Sequence, residues 1–295
     1  MPVLFSVPIP PTFFISGKAP RTAAPYIYMN IYKKFFLRAK EFFFPGVCAL
    51  CGGRLNNPAE IRYSLCRDCA DSVTPAHGNT KDVSLNSKCN MCGKPLISEI
   101  GTCLPCRNGG ERSYERLWVL FPYIGKYRKL LTAYKFGKNL ALADFFADKI
   151  SEIIPEIVKN EAPELKNAVI VPVPPRPGKI KETGWDQVEH LVKRLEKIPG
   201  CLPVCRCLRR GKSRVQKRLS RAERLENLKG RISVNAASAQ VFLGKRADSA
   251  SGGSTAPSFI LIDDVITTGS TIEVCSAVLK EAGAGKIYGI CLCFD

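Results

Sequence analysis

From about residue 114 onward, short solid apolar runs take turns with longer stretches of helical spacing. Residues 117–123 (Leu-Trp-Val-Leu-Phe-Pro-Tyr), 168–173 (Ala-Val-Ile-Val-Pro-Val) and 259–262 (Phe-Ile-Leu-Ile) are such runs. They predict strands buried on both faces, because a sheet wet on one side would show polar alternation instead. Residues 127–136 and 140–158 carry apolar side chains at helical spacing, with breaks expected around Gly137 and Pro155. A further helix is predicted from 187 to about 197, with short strands over 202–208 and 231–234. Beyond 259–262, Ile272, Val274, Val278 and Leu279 recur at helical spacing up to Gly283, and 286–293 reads as the closing strand. Strands alternating with helices in this way predict an α/β domain over 114–295. The Ser/Gly-rich stretch 236–257 reads as a flexible insertion within it.

The first third of the chain follows no such pattern. Residues 1–28 are rich in Pro and Ala, lack periodicity and are expected to be disordered, and Met29 is a candidate alternative start. Residues 29–46 predict a basic amphipathic helix, with Phe35, Phe36 and Phe42 among Lys33, Lys34, Arg38 and Lys40. Such a helix either packs on its own domain or associates weakly with a membrane surface. Over 47–110 the organising feature is cysteine: Cys48-x-x-Cys51, Cys66-x-x-Cys69, Cys89-x-x-Cys92 and Cys103-x-x-Cys106. Each C-x-x-C turn can place two thiolates on one side of a tetrahedral ion, and two turns complete a four-sulfur site. Gly52, Gly53 and Gly93, directly after the pairs, suit tight knuckles. Eight thiolates therefore predict two structural Zn²⁺ sites, a double zinc ribbon. Pairing in chain order is the simplest arrangement and a cross-braced one the alternative. Disulfides and an iron–sulfur cluster are the competing uses of the spacing.

The stretch with the most chemistry is Phe259-Ile-Leu-Ile-Asp263-Asp264-Val-Ile-Thr267-Thr268-Gly269-Ser270-Thr271. A strand running through two carboxylates and a small-residue turn into a helix start is suited to a sugar phosphate. Free N–H groups of the first helical turn favour an anion, and Thr267, Thr268, Ser270 and Thr271 offer hydroxyl donors around Gly269. Asp263 and Asp264 can accept from sugar hydroxyls or hold a hydrated Mg²⁺. A plain strand followed by a capped helix is the competing reading. Pro174, Pro175, Arg176, Pro177, Gly178 and Lys179 follow the 168–173 strand, where ligands of open α/β sheets bind, and Arg176 and Lys179 there suit pyrophosphate. Lys135, at the first helix break, reads either as a phosphate ligand or as a solvated helix end.

Charge adds the class of partner. The chain carries a formal net charge of +18, which points to phosphates, nucleic acid or acidic lipid. Between 205 and 231 eleven Lys and Arg oppose only Glu223 and Glu226, so half of the excess lies in one short stretch. Ser220 and Glu223 form a capping box that predicts a short helix to about 228. The basic stretch reads as a loop closing over a phosphate, as a grip on a nucleic-acid backbone without stacking aromatics, or as a solvated loop. No apolar run reaches 18 residues, and Pro2, Pro8, Pro10 and Pro11 break the first apolar segment, so neither a membrane span nor a secretory signal is predicted. A cytoplasmic setting is expected.

The acidic stretch resembles the phosphoribosyl-pyrophosphate (PRPP) loop of type I phosphoribosyltransferases, matching it from Phe259 to Thr271. That resemblance implies a mostly parallel sheet flanked by helices, with Asp263 and Asp264 on the ribose hydroxyls and Thr267 to Thr271 around the 5′-phosphate. It also gives Arg176 and Lys179 the place of the pyrophosphate loop. The order of parts from about Tyr32 onward resembles the ComF family of competence proteins and its GntX-like relatives, which join a cysteine-knuckle module to such a domain. Three anchors carry this: the C-x-x-C array, Val171-Pro-Val-Pro with Gly184-Trp185-Asp186-Gln187, and Leu219 to Gly230 ahead of the acidic stretch. The resemblance implies PRPP with Mg²⁺ as ligand and a setting in DNA uptake, with single-stranded DNA and uptake-machinery proteins as candidate partners. The family usually reads Arg-Gly-Phe-Asn-Gln where this chain has Thr183-Gly-Trp-Asp-Gln187, which makes this region less cationic. Two functions compete: a transferase acting on an unknown acceptor, and a non-catalytic binding protein built on a retired transferase fold.

Overall fold

A computed structural model describes residues 46–73, 88–96, 98–109, 111–211, 228–243 and 256–295. The expected N-terminal extension, the amphipathic helix up to residue 45, the basic loop over 212–227 with its capping box, and 244–255 of the insertion lie outside the described residues.

In chain order the strands are β1 (Arg116–Pro122), β2 (Val169–Pro172), β3 (Leu208–Arg210), β4 (Ile232–Val234), β5 (Phe259–Ile266) and β6 (Ile287–Phe294). The helices are α1 (Pro58–Tyr63), α2 (Arg67–Ser72), α3 (Leu104–Arg107), α4 (Gly125–Lys135), α5 (Leu142–Asn160), α6 (Lys179–Thr183), α7 (Gln187–Leu195), α8 (Ala236–Leu243) and α9 (Ser270–Glu281). The main sheet has the order β1-β6-β5-β2, and every pairing in it is parallel. Its register aligns Val169 with Phe259 and Phe259 with Ile287, so β2 ends at Pro172 opposite Ile262, next to the acidic pair.

The solid apolar runs are explained by burial on two faces. Ile260, Ile262, Ile290 and Leu292 face a core completed by Leu130, Phe145, Phe146, Ile150 and Leu191 of α4, α5 and α7. Their neighbours Phe259, Leu261 and Cys291 face the other core, against Ile272, Cys275 and Leu279 of α9. Sheet layers covered on both sides leave no position where a polar residue is favoured. The fold is α/β, with a parallel sheet flanked by helices, as expected.

Three local readings change. Pro155 lies inside α5 instead of ending it, because Ile150, Ile153 and Ile157 are buried on either side and packing outweighs the one lost backbone bond. The break at Gly137 does occur, with α4 ending at Lys135 and α5 starting at Leu142, and the position requires glycine because a Cβ there would meet the Ala133 carbonyl oxygen at 2.7 Å. The expected strand over 202–208 is split: Val204 makes one parallel bridge to Ile170, and β3 instead pairs antiparallel with β4 in a separate two-stranded sheet. Residues 236–243 of the expected insertion form α8, with Ala239 buried.

The cysteine-rich segment sits on this frame as two knuckles. In the first, Cys48 N–H donates to Gly53 O at 2.8 Å and Gly52 N–H to Cys48 O at 2.9 Å, a turn that holds Gly52 at φ 77°. The second repeats it, with Cys89 to Lys94 at 2.8 Å, Gly93 to Cys89 at 2.9 Å and Gly93 at φ 70°. Only glycine adopts this backbone without strain. The first knuckle is tied to the helices: Lys129 donates to Leu50 O, Lys126 to Ser72 O, and Arg62 reaches Asp148 at 3.0 Å. The second is tied to the sheet, with Leu117 N–H on Met91 O at 2.8 Å and Lys88 on Val119 O at 2.6 Å.

Candidate functional site

β5 does not stop before the acidic pair; it runs through Asp263 and Asp264 to Ile266, and the pair lies just past the end of β2. At the carboxyl edge of these strands lies a cleft of about 480 Å³. Its floor is Asp263, Asp264 and Val265, and its walls carry Lys135, Arg176, Lys179 and Arg210. A second, smaller hollow of about 40 Å³ is enclosed by Asp263 and the 265–272 turn. The geometry brings together a carboxylate pair, four cations and a hydroxyl-lined turn.

The two aspartates are not equivalent. Asp264 is buried, its Oδ2 lies 2.8 Å from Lys135 Nζ, and Gln187 Nε2 donates to the same oxygen. Its Oδ1 accepts the Val265 N–H at 2.7 Å. Burial works to raise the Asp264 carboxyl, but Lys135 and Lys179 outweigh it and hold the group below its ordinary value. Asp263 is pushed up to about 7, by burial first and by the negative charge of Asp264 second. One carboxylate is thus pinned and ionised while its neighbour takes and gives up a proton near neutral pH. Asp263 is also the less enclosed of the two and lines both cavities, so it can meet sugar hydroxyls or a hydrated cation.

The turn is shaped by Gly269, which holds φ 74° and precedes α9 without a side-chain cap. Thr268 and Ser270 share a hydroxyl–hydroxyl bond of 2.9 Å. The N-cap position itself is Gly269, not Thr268 or Ser270, and the start of α9 borders the hollow, where a helix N-terminus favours an anion.

The expected cations divide. Lys179 lines the cleft, and burial lowers its ammonium below the ordinary lysine value. Arg176 lines it too, but its guanidinium is engaged by Glu182, with Nη1 to Oε1 at 2.8 Å. Lys135 is not a solvated helix end; it is the partner of Asp264. Gln187 and Arg210 escaped sequence reasoning as site residues. Gln187 sits in a segment recognised only as a family anchor, and Arg210 was one of eleven cations in the basic stretch. Asp186 caps α7 by accepting the Val188 N–H at 3.0 Å, and faces the same cleft.

Each knuckle gathers its four thiols in chain order: Cys48, Cys51, Cys66 and Cys69 in one group, Cys89, Cys92, Cys103 and Cys106 in the other, each set within 4.8 Å. The groups follow chain order rather than cross-bracing, all 14 cysteines are free, and Cys51–Cys66 and Cys92–Cys103 each stand 3.7 Å apart. A tetrahedron with metal–sulfur bonds of ~2.3 Å has edges of about 3.8 Å, so the spacing fits a four-sulfur metal site. Burial opposes ionisation, yet backbone N–H donors outweigh it and bring the Cys48 thiol down to about 6 and Cys89 to about 7.

No family model matches the chain. Competence protein F of Haemophilus influenzae is 25% identical over 251 residues, covering 83% of this chain and 95% of its own length. Competence protein ComFC of Streptococcus pneumoniae is 27% identical over 228 residues, covering 76% and 84%. The ComFC protein of Bacillus subtilis is 22% identical over 250 residues, covering 80% and 90%. The chain is similar to these competence proteins over most of its length. This similarity runs through both the knuckles and the α/β domain. Among solved structures, a hypoxanthine phosphoribosyltransferase of Staphylococcus aureus aligns with 49% of this chain and 64% of its own, at 14% identity and a TM-score of 0.23. That score is too low to carry weight, and the fold rests on the sheet order and the acidic turn. Among the described residues, no helix is long and apolar enough to cross a membrane.

Proposed function

We propose that this chain binds PRPP with Mg²⁺ in the cleft at the ends of β2 and β5, and that it serves DNA uptake from the cytoplasmic side. One observation carries the reading: a pinned and a titrating aspartate form the floor of a cleft with four cations, beside a hollow bounded by a hydroxyl-rich turn and the start of α9. The 5′-phosphate occupies the hollow at Thr267–Thr271. Asp263 accepts from a ribose hydroxyl, and Asp264 is held in place for the second by Lys135 and Gln187. Lys179, Arg210 and Arg176, once released from Glu182, face the pyrophosphate. The carboxylate oxygens of the pair suit Mg²⁺, an oxygen-seeking ion that keeps several waters; when bound it supplies positive charge to the pyrophosphate. Lys179 and Arg210 favour departure of pyrophosphate as charge develops on it, and the turn keeps the sugar oriented. The acceptor is a nucleophile not yet identified. The two four-thiol groups hold Zn²⁺ in closed, structural sites.

Thermal denaturation tests this reading. At a PRPP concentration 100 times Kd, a ligand that binds only the folded state adds about 2.7 kcal/mol of stability. For a protein of this size that raises Tm by roughly 5–10 °C. The expected rise requires Mg²⁺ and is smaller with ribose 5-phosphate. Unchanged melting of the zinc-loaded protein would contradict PRPP binding.

A further inference from the structure

Among the described residues the cleft is lined by three carboxylates, Asp186, Asp263 and Asp264. Two of them are committed. Asp264 holds Lys135 and Gln187 on Oδ2 and the Val265 N–H on Oδ1, and Asp263 borders the hollow that the PRPP reading fills with the sugar phosphate. Glu182 is engaged by Arg176, and His190 packs on the Trp185 ring at 5.8 Å without lining the cleft. Asp186 is the carboxylate left to face an incoming group. The chain on both sides of it is fixed. Trp185 meets the Tyr134 ring edge-on at 5.1 Å, the Tyr134 hydroxyl donates to Gln187 O at 2.7 Å, and Thr183 Oγ1 lies 2.9 Å from Trp185 O. Asp186 Oδ1 caps α7 through the Val188 N–H at 3.0 Å, and its carbonyl accepts the His190 N–H at 3.0 Å. A side chain held this way stays in one place while a ligand moves.

We propose that Asp186 is the general base of the cleft: it takes the proton from a nucleophile that reaches the sugar with an N–H or O–H bond. The assignment rests on the PRPP reading above. As the nucleophile bonds to C1′, the C1′–O bond to pyrophosphate breaks and its electron pair leaves on pyrophosphate. The proton released by the nucleophile moves to the Asp186 carboxylate, so charge and atoms balance without a further reactant. Burial raises the Asp186 carboxyl above its ordinary value, against the pull of Lys179 and of the capping N–H groups. A carboxylate shifted that way is a stronger proton acceptor than one in water. The charged groups of the cleft also separate the roles: Lys179 and Arg210 suit the departing pyrophosphate, whereas a third carboxylate repels it and suits a proton donor. The substrate class this selects is an amine, amide or hydroxyl compound. A nucleophile without a proton gains nothing from Asp186.

Two small probes separate proton removal from binding: hydroxylamine attacks with a proton to lose, azide without one. Pyrophosphate release from PRPP with Mg²⁺ is measured with each probe, for the full-length, zinc-loaded chain and for Asp186→Asn, whose amide oxygen can still cap α7. A positioned general base contributes about 10²–10⁴-fold. The expected result is hydroxylamine-dependent release slower by about 100-fold or more in Asp186→Asn. Azide-dependent release and the calorimetric Kd for PRPP stay unchanged, which also shows that the variant is folded. Equal hydroxylamine rates in the two proteins overturn the proposal, and so does an equal loss with both probes. No release by the wild type with either probe, beside intact PRPP binding, overturns this proposal alone. Absence of PRPP binding removes the reading on which it rests.

Discussion

Replacing Lys135 with methionine will destabilise the protein by about 2–3 kcal/mol near neutral pH and remove most of its affinity for PRPP. Breaking one side of a fully buried ion pair typically costs about 3–5 kcal/mol, and the lower figure applies because Lys135 still reaches solvent. Its ammonium lies 2.8 Å from Asp264, whose side chain is 10% exposed. Asp264 is held below its ordinary 3.8, so the pair's contribution is present above that value and fades as pH falls through the lowered one. The cost of Lys135→Met should shrink accordingly in acid. Urea denaturation of Lys135→Met, Asp264→Asn and the double variant measures the coupling, and the account expects the double variant to recover much of the loss. Additive losses would mean that the pair is incidental. Asp263 has the opposite sign: raised to about 7, its neutral form favours folding below that pH and the benefit is lost as pH rises through 7.

The second large effect concerns the metal. Cys103→Ser and Cys66→Ser will each lower bound zinc from two ions per chain to one, with Tm falling by roughly 10 °C or more. Structural zinc contributes about 10–16 kcal/mol of apparent binding energy in isolated fingers; the first knuckle also buries Leu50, Leu55, Leu65 and Val73 in the helical core, whereas the second adds little beyond Leu96 to its cysteines. The two losses will differ in place. The first knuckle rests on α4 and α5 through Lys129, Lys126 and Arg62, so Cys66→Ser should raise amide exchange in those helices. The second rests on β1 and, through Ser113, on α9, so Cys103→Ser should raise it in the phosphate turn and weaken PRPP binding. Metal analysis with hydrogen exchange reads both. An unchanged count of two ions, or the same exchange pattern in both variants, would contradict the division of labour.

How much of this was legible in the sequence follows from how local each feature is. The strands were readable because burial on both faces writes a solid apolar run, and the acidic turn because its residues are contiguous. The thiol groups were readable because four C-x-x-C turns imply their own chemistry, although chain-order pairing needed the knuckles in space. Lys135 was ambiguous, since its partner Asp264 is 129 positions away and no local pattern records that distance. Gln187 and Arg210 reach the cleft only when α7 and β3 come to the edge of the sheet. Pro155 misled because the rule about helix breaking is local, whereas three buried isoleucines decide the outcome. The 202–208 strand misled because partner choice is a tertiary property.

Calorimetric titration of PRPP with Mg²⁺ into the zinc-loaded chain, beside an Asp263→Asn/Asp264→Asn variant of verified zinc content, tests the central claim most directly. The account predicts saturable one-to-one binding by the wild type, at least 100-fold weaker in the variant. It also predicts wild-type affinity that rises from pH 6 to pH 8 as Asp263 loses its proton. Equal affinity in the two proteins, or no binding by the folded wild type at pH 8, would contradict it.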